Sequence, residues 1–112
     1  MQAIIPWATN FYTETLIERV REAGIVGQGG AAFPTYVKLS PPEGRSIDSV
    51  ILNGCECEPF LTADYRVMLE AAEPVVVGAM LGARAVGAER IVIAVEDNKM
   101  DAVKANEERF LR

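Results

Sequence analysis

The sequence predicts an α/β fold in which helices cover a parallel sheet. Three observations carry this. Two short apolar runs, Ser49–Asn53 and Arg90–Val95, each break off into polar residues. That is the pattern of buried parallel strands whose carboxyl ends open into loops. The segment between them is long and helical in pattern, which suits the right-handed crossover that joins parallel neighbours. Amphipathic segments flank the pair on both sides. The order helix, strand, helices, strand, helix is that of a Rossmann-like three-layer sheet. Two strands are read, and a two-stranded sheet is marginal alone. The expected unit is therefore an incomplete fragment of a larger domain, or one that relies on a partner.

Taken in order, residues 1–12 form an extended lead-in, with Pro6 and Trp7 packing on something larger, and residues 13–112 form the domain portion. Thr13 caps a helix to about Ala23, with Leu16, Ile17 and Val20 as its apolar stripe. Gly24 before Ile25 is a left-handed stop. A glycine-rich loop follows. Pro34 to Leu39 reads as a short helical turn with proline in the first turn. Ser40-Pro41-Pro42-Glu43-Gly44 is a breaker loop. After the first strand come a helix over 62–71 and another from Pro74 to Val86, stopped by Gly87. Within it Gly78 and Gly82 lie one turn apart, a spacing that predicts close approach of the helix to the sheet. Glu96-Asp97-Asn98-Lys99 is the polar exit of the second strand, and the last helix runs from Asp101 to Leu111. No internal repeat or low-complexity tract is present.

Composition narrows the function classes. The 112 residues suffice for one domain. The net charge of −5 argues against nucleic acid as a partner, since nucleic-acid binders carry a basic stripe. It argues equally against a surface tuned to anionic lipid. The amino terminus has neither a basic region nor a long apolar run, which reads as a cytoplasmic chain without a leader. Histidine is absent, which excludes Ser-His-Asp and Cys-His catalysis and the zinc sets that use histidine. No catalytic residue and no metal site are expected.

Two segments concentrate the chemistry. Gly27-Gln28-Gly29-Gly30-Ala31-Ala32-Phe33-Pro34-Thr35 places three glycines within four residues, with Lys38 just beyond. Without Cβ atoms such a backbone can lie against a ligand and turn its amides toward a phosphate. Lys38 either adds positive charge there or is a surface lysine. Phe33 either offers an aromatic face or plugs the core. The second segment, Asn53-Gly54-Cys55-Glu56-Cys57-Glu58-Pro59, leaves the carboxyl end of the first strand, where ligands bind in such sheets. Together the two point to a nucleotide or flavin site. Two cysteines are too few for zinc or a cluster, and adjacent Cys-x-Cys side chains seldom form an unstrained disulfide. Cys55 and Cys57 therefore read as small buried residues at a strand end. Glu56 and Glu58 taken alone could be solvated loop acids.

The ordered pattern Gly-x-Gly-Gly-Ala-x-Phe-Pro-Thr-x-x-Lys, then Asn-x-x-Glu-x-Glu-Pro, resembles the FMN- and NADH-binding domain shared by the complex I flavin subunit and the RnfC family. Ala23-Gly24-Ile25-Val26-Gly27, Lys38-Leu39-Ser40-Pro41, Glu56-Cys57-Glu58-Pro59 and Glu96-Asp97-Asn98-Lys99 look like RnfC. The likeness covers roughly residues 15–105. It implies FMN contacts at Gly27, Gly29, Gly30, Lys38, Asn53 and Glu56. It implies NADH contacts at Phe33, by stacking, and at Glu58, by hydrogen bonding. Asp97 and Asn98 fall near a flavin-contacting strand exit. Ala32 stands where the family usually has glycine, and its methyl narrows the room for a ligand. Cys55 stands where RnfC-like chains often have alanine and complex I chains aspartate, so an aspartate contact to flavin is not expected.

What the resemblance implies about function is an electron-transfer subunit of a membrane-associated, ion-translocating ferredoxin:NAD+ oxidoreductase, peripheral on the cytoplasmic face. FMN would be its cofactor and NAD(H) its substrate. Other Rnf subunits would be its partners, and ferredoxin an electron partner. The 4Fe–4S clusters of the family lie in a C-terminal region absent here; no Cys-x-x-Cys-x-x-Cys run exists in this sequence. The chain alone is then expected to be inactive, with a homodimer burying the strand faces of Val50–Leu52 and Ile91–Val95. Two other readings stand beside this one. One is a soluble NADH-dependent reductase of the cobalamin reductase type. The other is a non-catalytic interaction module that kept the fold.

Overall fold

The computed structural model describes residues 2–4, 13–56 and 62–110. Its elements, in order, are β1 (Gln2–Ile4), α1 (Thr13–Glu22), α2 (Thr35–Lys38), β2 (Ser49–Asn53), α3 (Ala63–Glu70), α4 (Ala72–Val86), β3 (Arg90–Ala94) and α5 (Met100–Phe110). β2 and β3 pair in parallel, Val50 opposite Ile91 and Leu52 opposite Ile93. β1 adds a third strand, antiparallel to β3, in the order β1-β3-β2. The sheet is thus mixed and three-stranded, not the purely parallel pair that the sequence predicts. Three residues of β1 are too few to show a period, and their strand character comes from pairing with β3. Pro6 and Trp7 lie outside the described residues.

Alternation along the strands sorts the side chains into two faces. Ile91 and Ile93 are buried, with Val50 and Leu52 partly buried beside them. They meet α4, the described helix that packs broadly on the strands. Small residues make the approach close: Ala79 and Ala83 on α4, Ala88 after it and Ala102 on α5 are all buried in this core with Met68. On the other face Ile51 is 68% exposed. The described residues therefore form a sheet with one helical layer, α1 and α5 flanking α4. A second layer is not seen among them.

Local chemistry accounts for the helix ends. Gly24, at φ 65°, takes the left-handed position, and Ile25 N–H closes onto the Val20 carbonyl. α4 begins at Ala72, two residues before Pro74. Proline sits comfortably in a first turn, where its missing N–H has no intrahelical partner to lose. Thr13 is itself helical, and its hydroxyl donates at 3.5 Å to the Arg84 carbonyl of α4. Gly78 and Gly82 do not serve a close contact: a Cβ at either would meet nothing within 4 Å. Both line an apolar cleft of about 670 Å³ between α1, α2, β2 and α4. Buried Asn106 ties α5 to α3, its Nδ2 donating to the carbonyls of Met68 at 2.9 Å and Ala102 at 2.8 Å.

Candidate functional site

The glycine-rich segment is a loop pinched at its base. Val26 bridges Pro34, Gly27 N–H donates to the Phe33 carbonyl at 2.8 Å, and Thr35 N–H donates to the Ile25 carbonyl at 3.0 Å. From Gln28 to Ala32 the tip is exposed, and its backbone amides donate to no described partner. Successive free amides can receive an anion where the backbone turns them to one side. Gly30 has φ 101° and Ala32 φ 49°, the one described non-glycine residue with a positive φ. Phe33 is 49% exposed, so it does not plug the core.

α2 brings Lys38 back to the loop. Its Nζ lies 3.0 Å from the position a Cβ would take at Gly27. Glycine at position 27 is what allows the ammonium to rest against the loop base. No carboxylate pairs with Lys38 among the described ion pairs. The cation thus rests at the base of the loop whose tip carries the amides without a described partner. Lys38 also lines the apolar cleft, together with Ile51 and Leu52, which lead into Asn53.

The second segment is held by three hydrogen bonds. Asn53 Oδ1 accepts from Cys55 N–H at 3.1 Å, an Asx-type turn. Buried Gly54 continues the parallel ladder, donating at 2.8 Å to the Ala94 carbonyl. Glu56 Oε1 accepts from Tyr65 N–H at 2.8 Å, satisfying one of the orphan amides at the start of α3. Gly54 is required by packing, since a Cβ there would lie 2.5 Å from Met68 Sδ and 3.0 Å from the Ala94 oxygen. Cys55 is a half-buried free thiol. Glu58 and Cys57 lie outside the described residues.

Beside Glu56 sits a cluster that the sequence reading missed. The Tyr65 hydroxyl donates to Asp101 Oδ2, and Lys99 Nζ lies 4.2 Å from the centre of the Tyr65 ring. The bond to the Asp101 carboxylate raises the Tyr65 pKa above the ordinary phenol value. The same bond, with the Ala102 amide, lowers that of Asp101. Tyr65 and Asp101 are 36 residues apart, and no local pattern announces the pairing. Asp97 and Asn98 occupy the exposed turn after β3 that the sequence places there.

The structure thus gathers Gly27, Phe33 and Lys38 at the loop, and Asn53 and Glu56 at the end of β2. Among the described residues no hydrogen bond joins the two groups; the apolar cleft lies between α2 and β2. No group of three or more potential metal ligands occurs among the described residues. No described helix is long and apolar enough to cross a membrane.

The chain belongs to the Nuo51 FMN-binding domain family, whose profile matches residues 20–110. Among its relatives is a subunit of the proton-translocating ferredoxin:NAD(+) oxidoreductase complex of Clostridium ljungdahlii, 50% identical over 91 residues, which are 81% of this chain and 20% of that protein. The corresponding subunit of the Na(+)-translocating ferredoxin:NAD(+) oxidoreductase complex of Acetobacterium woodii is 49% identical over 105 residues, 92% of this chain and 24% of that protein. Its counterpart in the ion-translocating oxidoreductase complex of Rhodobacter capsulatus is 44% identical over 96 residues, 86% of this chain and 18% of that protein. The chain spans a quarter or less of the length of these relatives.

Proposed function

We propose that this chain forms the N-terminal part of the FMN-binding domain in an RnfC-type subunit of an ion-translocating ferredoxin:NAD+ oxidoreductase. The observation that carries the reading is the row of amides from Gln28 to Ala32 without a described partner, in the loop on whose base the Lys38 ammonium rests, itself in no described ion pair. That donor set fits a phosphate-bearing cofactor such as FMN. Held by these residues, FMN would supply hydride acceptance from NADH and single-electron donation onward. The chain's own residues bind and orient. The backbone at Gly27, Gly29 and Gly30 lies along the flavin, and Lys38 offsets its negative charge. Asn53 and Glu56 hold the flavin from the end of β2. Phe33 stacks on the dinucleotide, and Glu58 accepts from a ribose hydroxyl. No side chain has to move a proton at the transferring carbon, which suits a sequence without histidine.

The rest of the activity belongs to the longer polypeptide and its complex. A second helical layer closes over the open face of the sheet and completes a Rossmann-like domain. A C-terminal region holds the 4Fe–4S clusters. The subunit sits on the cytoplasmic side of the membrane among the other Rnf subunits, with ferredoxin as electron partner.

The test is an FMN fluorescence-quenching titration of the full-length protein, of this chain and of full-length Gly29→Val. A Cβ at Gly29 meets nothing within 4 Å, so the variant keeps its fold, as circular dichroism will report. Wild type should bind one FMN, and Gly29→Val should bind at least about tenfold more weakly, a difference of about 1.4 kcal/mol. This chain alone should bind weakly or not at all. An unchanged Kd for FMN in Gly29→Val would overturn the loop assignment, and no binding by wild type would overturn the flavin reading.

A further inference from the structure

We propose that Tyr65 is a positioning residue for the second motif: tied to Asp101 and Lys99, it holds the Glu56 carboxylate in place at the end of β2. That this carboxylate then serves the flavin rests on the reading above. Glu56 uses Oε1 to accept from Tyr65 N–H at 2.8 Å. Oε2 accepts from no described residue.

The hold on Glu56 depends on the first turn of α3 staying wound. That helix has only eight residues, and Thr62 at its start makes no side-chain capping bond. Short helices without caps fray at their ends. Two ties to the longer α5 oppose this. At the carboxyl end of α3, Asn106 Nδ2 donates to the Met68 carbonyl. At the amino end, the Tyr65 hydroxyl donates to Asp101 Oδ2, while the Lys99 ammonium lies over the ring. Losing the Tyr65 hydroxyl frees the first turn, and the amide that anchors Glu56 moves with it. The turn after β3, the start of α5 and the loop after β2 are in this way joined through one residue, by its side chain on the first two and by its backbone amide on the third.

The experiment uses the full-length protein with Tyr65→Phe, Glu56→Ala and the double variant. Tyr65→Phe keeps the ring and its contact with Lys99. The first readout is amide hydrogen exchange, by mass spectrometry, over peptides covering the first turn of α3. Exchange there should quicken about threefold to tenfold in Tyr65→Phe, the span expected for one lost hydrogen bond. The second readout is the Kd for FMN. Tyr65→Phe should weaken binding about fivefold in the wild-type background and have no further effect beside Glu56→Ala, because both act through one carboxylate. Unchanged exchange would overturn the tie. Quickened exchange with additive losses in Kd would overturn the positioning role and leave a merely structural contact. A wild-type protein that takes up no FMN would overturn the flavin reading and the functional half of this proposal, while exchange still decides the tie itself.

Discussion

Ala32 carries backbone strain that a glycine there would not. Its φ of 49° places an L residue in a region disfavoured by about 1–2 kcal/mol. Glycine loses more freedom on folding, by about 0.5–1 kcal/mol. The balance predicts that Ala32→Gly stabilises the protein by up to about 1 kcal/mol, read as a higher midpoint in urea; a lower midpoint would refute the strained geometry. Gly54→Ala should act in the opposite sense. Its methyl would collide with Met68 Sδ and the Ala94 carbonyl oxygen, and overpacking of this kind costs about 1–3 kcal/mol. The glycine-rich loop was legible because its residue types are rare in combination. The reason for Gly54 was not, because it depends on α3 and β3 arriving from elsewhere in the chain.

At the level of elements, the tie between α3 and α5 makes stability depend on pH at both extremes. Asp101 has its pKa lowered by the Tyr65 hydroxyl. Its contribution is complete above the unfolded value of about 4 and is lost as pH falls through the folded value. Tyr65 has its pKa raised by Asp101, against a smaller opposing effect of Arg66. Its contribution is complete below the unfolded value of about 10 and is lost as pH rises through the folded one. Lys99 faces both groups. The stability difference between wild type and Tyr65→Phe should therefore be flat across neutral pH and shrink at either end; denaturant melts over a pH series will show it, and a difference that grows in acid would contradict the pairing. Helices and parallel strands were read to within two residues because their apolar patterns are local and run over several consecutive residues. β1 was read only as extended lead-in, since its pairing with β3 is not a local property. Gly78 and Gly82 misled for a related reason. Their spacing matches a close helix contact, yet open space faces both. Alanine at either should then stabilise α4 by about 0.5–1 kcal/mol, measured by thermal unfolding; destabilisation would mean that the cleft is filled.

Over the whole molecule, the main departure from expectation is that the described residues cover the sheet on one face. Ser-Val-Ile-Leu-Asn is apolar at three consecutive positions, the composition of a strand buried on both sides, yet only Val50 and Leu52 turn toward α4 and the core. Sequence reveals that a strand is apolar throughout but not which residues supply the covering layer. Equal truncations on the two faces expose the asymmetry. Ile93 is 2% exposed, and Ile93→Ala should cost about 2–5 kcal/mol through lost transfer energy and a cavity. Ile51, 68% exposed, loses the same atoms in Ile51→Ala, and in this chain the cost should stay below about 0.5 kcal/mol, the range of ordinary surface substitutions. In the full-length protein the proposed second layer would bury Ile51, and Ile51→Ala should then approach the cost of Ile93→Ala. Urea melts of the two wild-type proteins and their four variants decide between the alternatives. A large Ile51 effect confined to the full-length protein is the outcome expected of a domain completed by later parts of the polypeptide. A negligible effect in both would mean that this face stays open and that later parts of the polypeptide join across the edge of β2 instead.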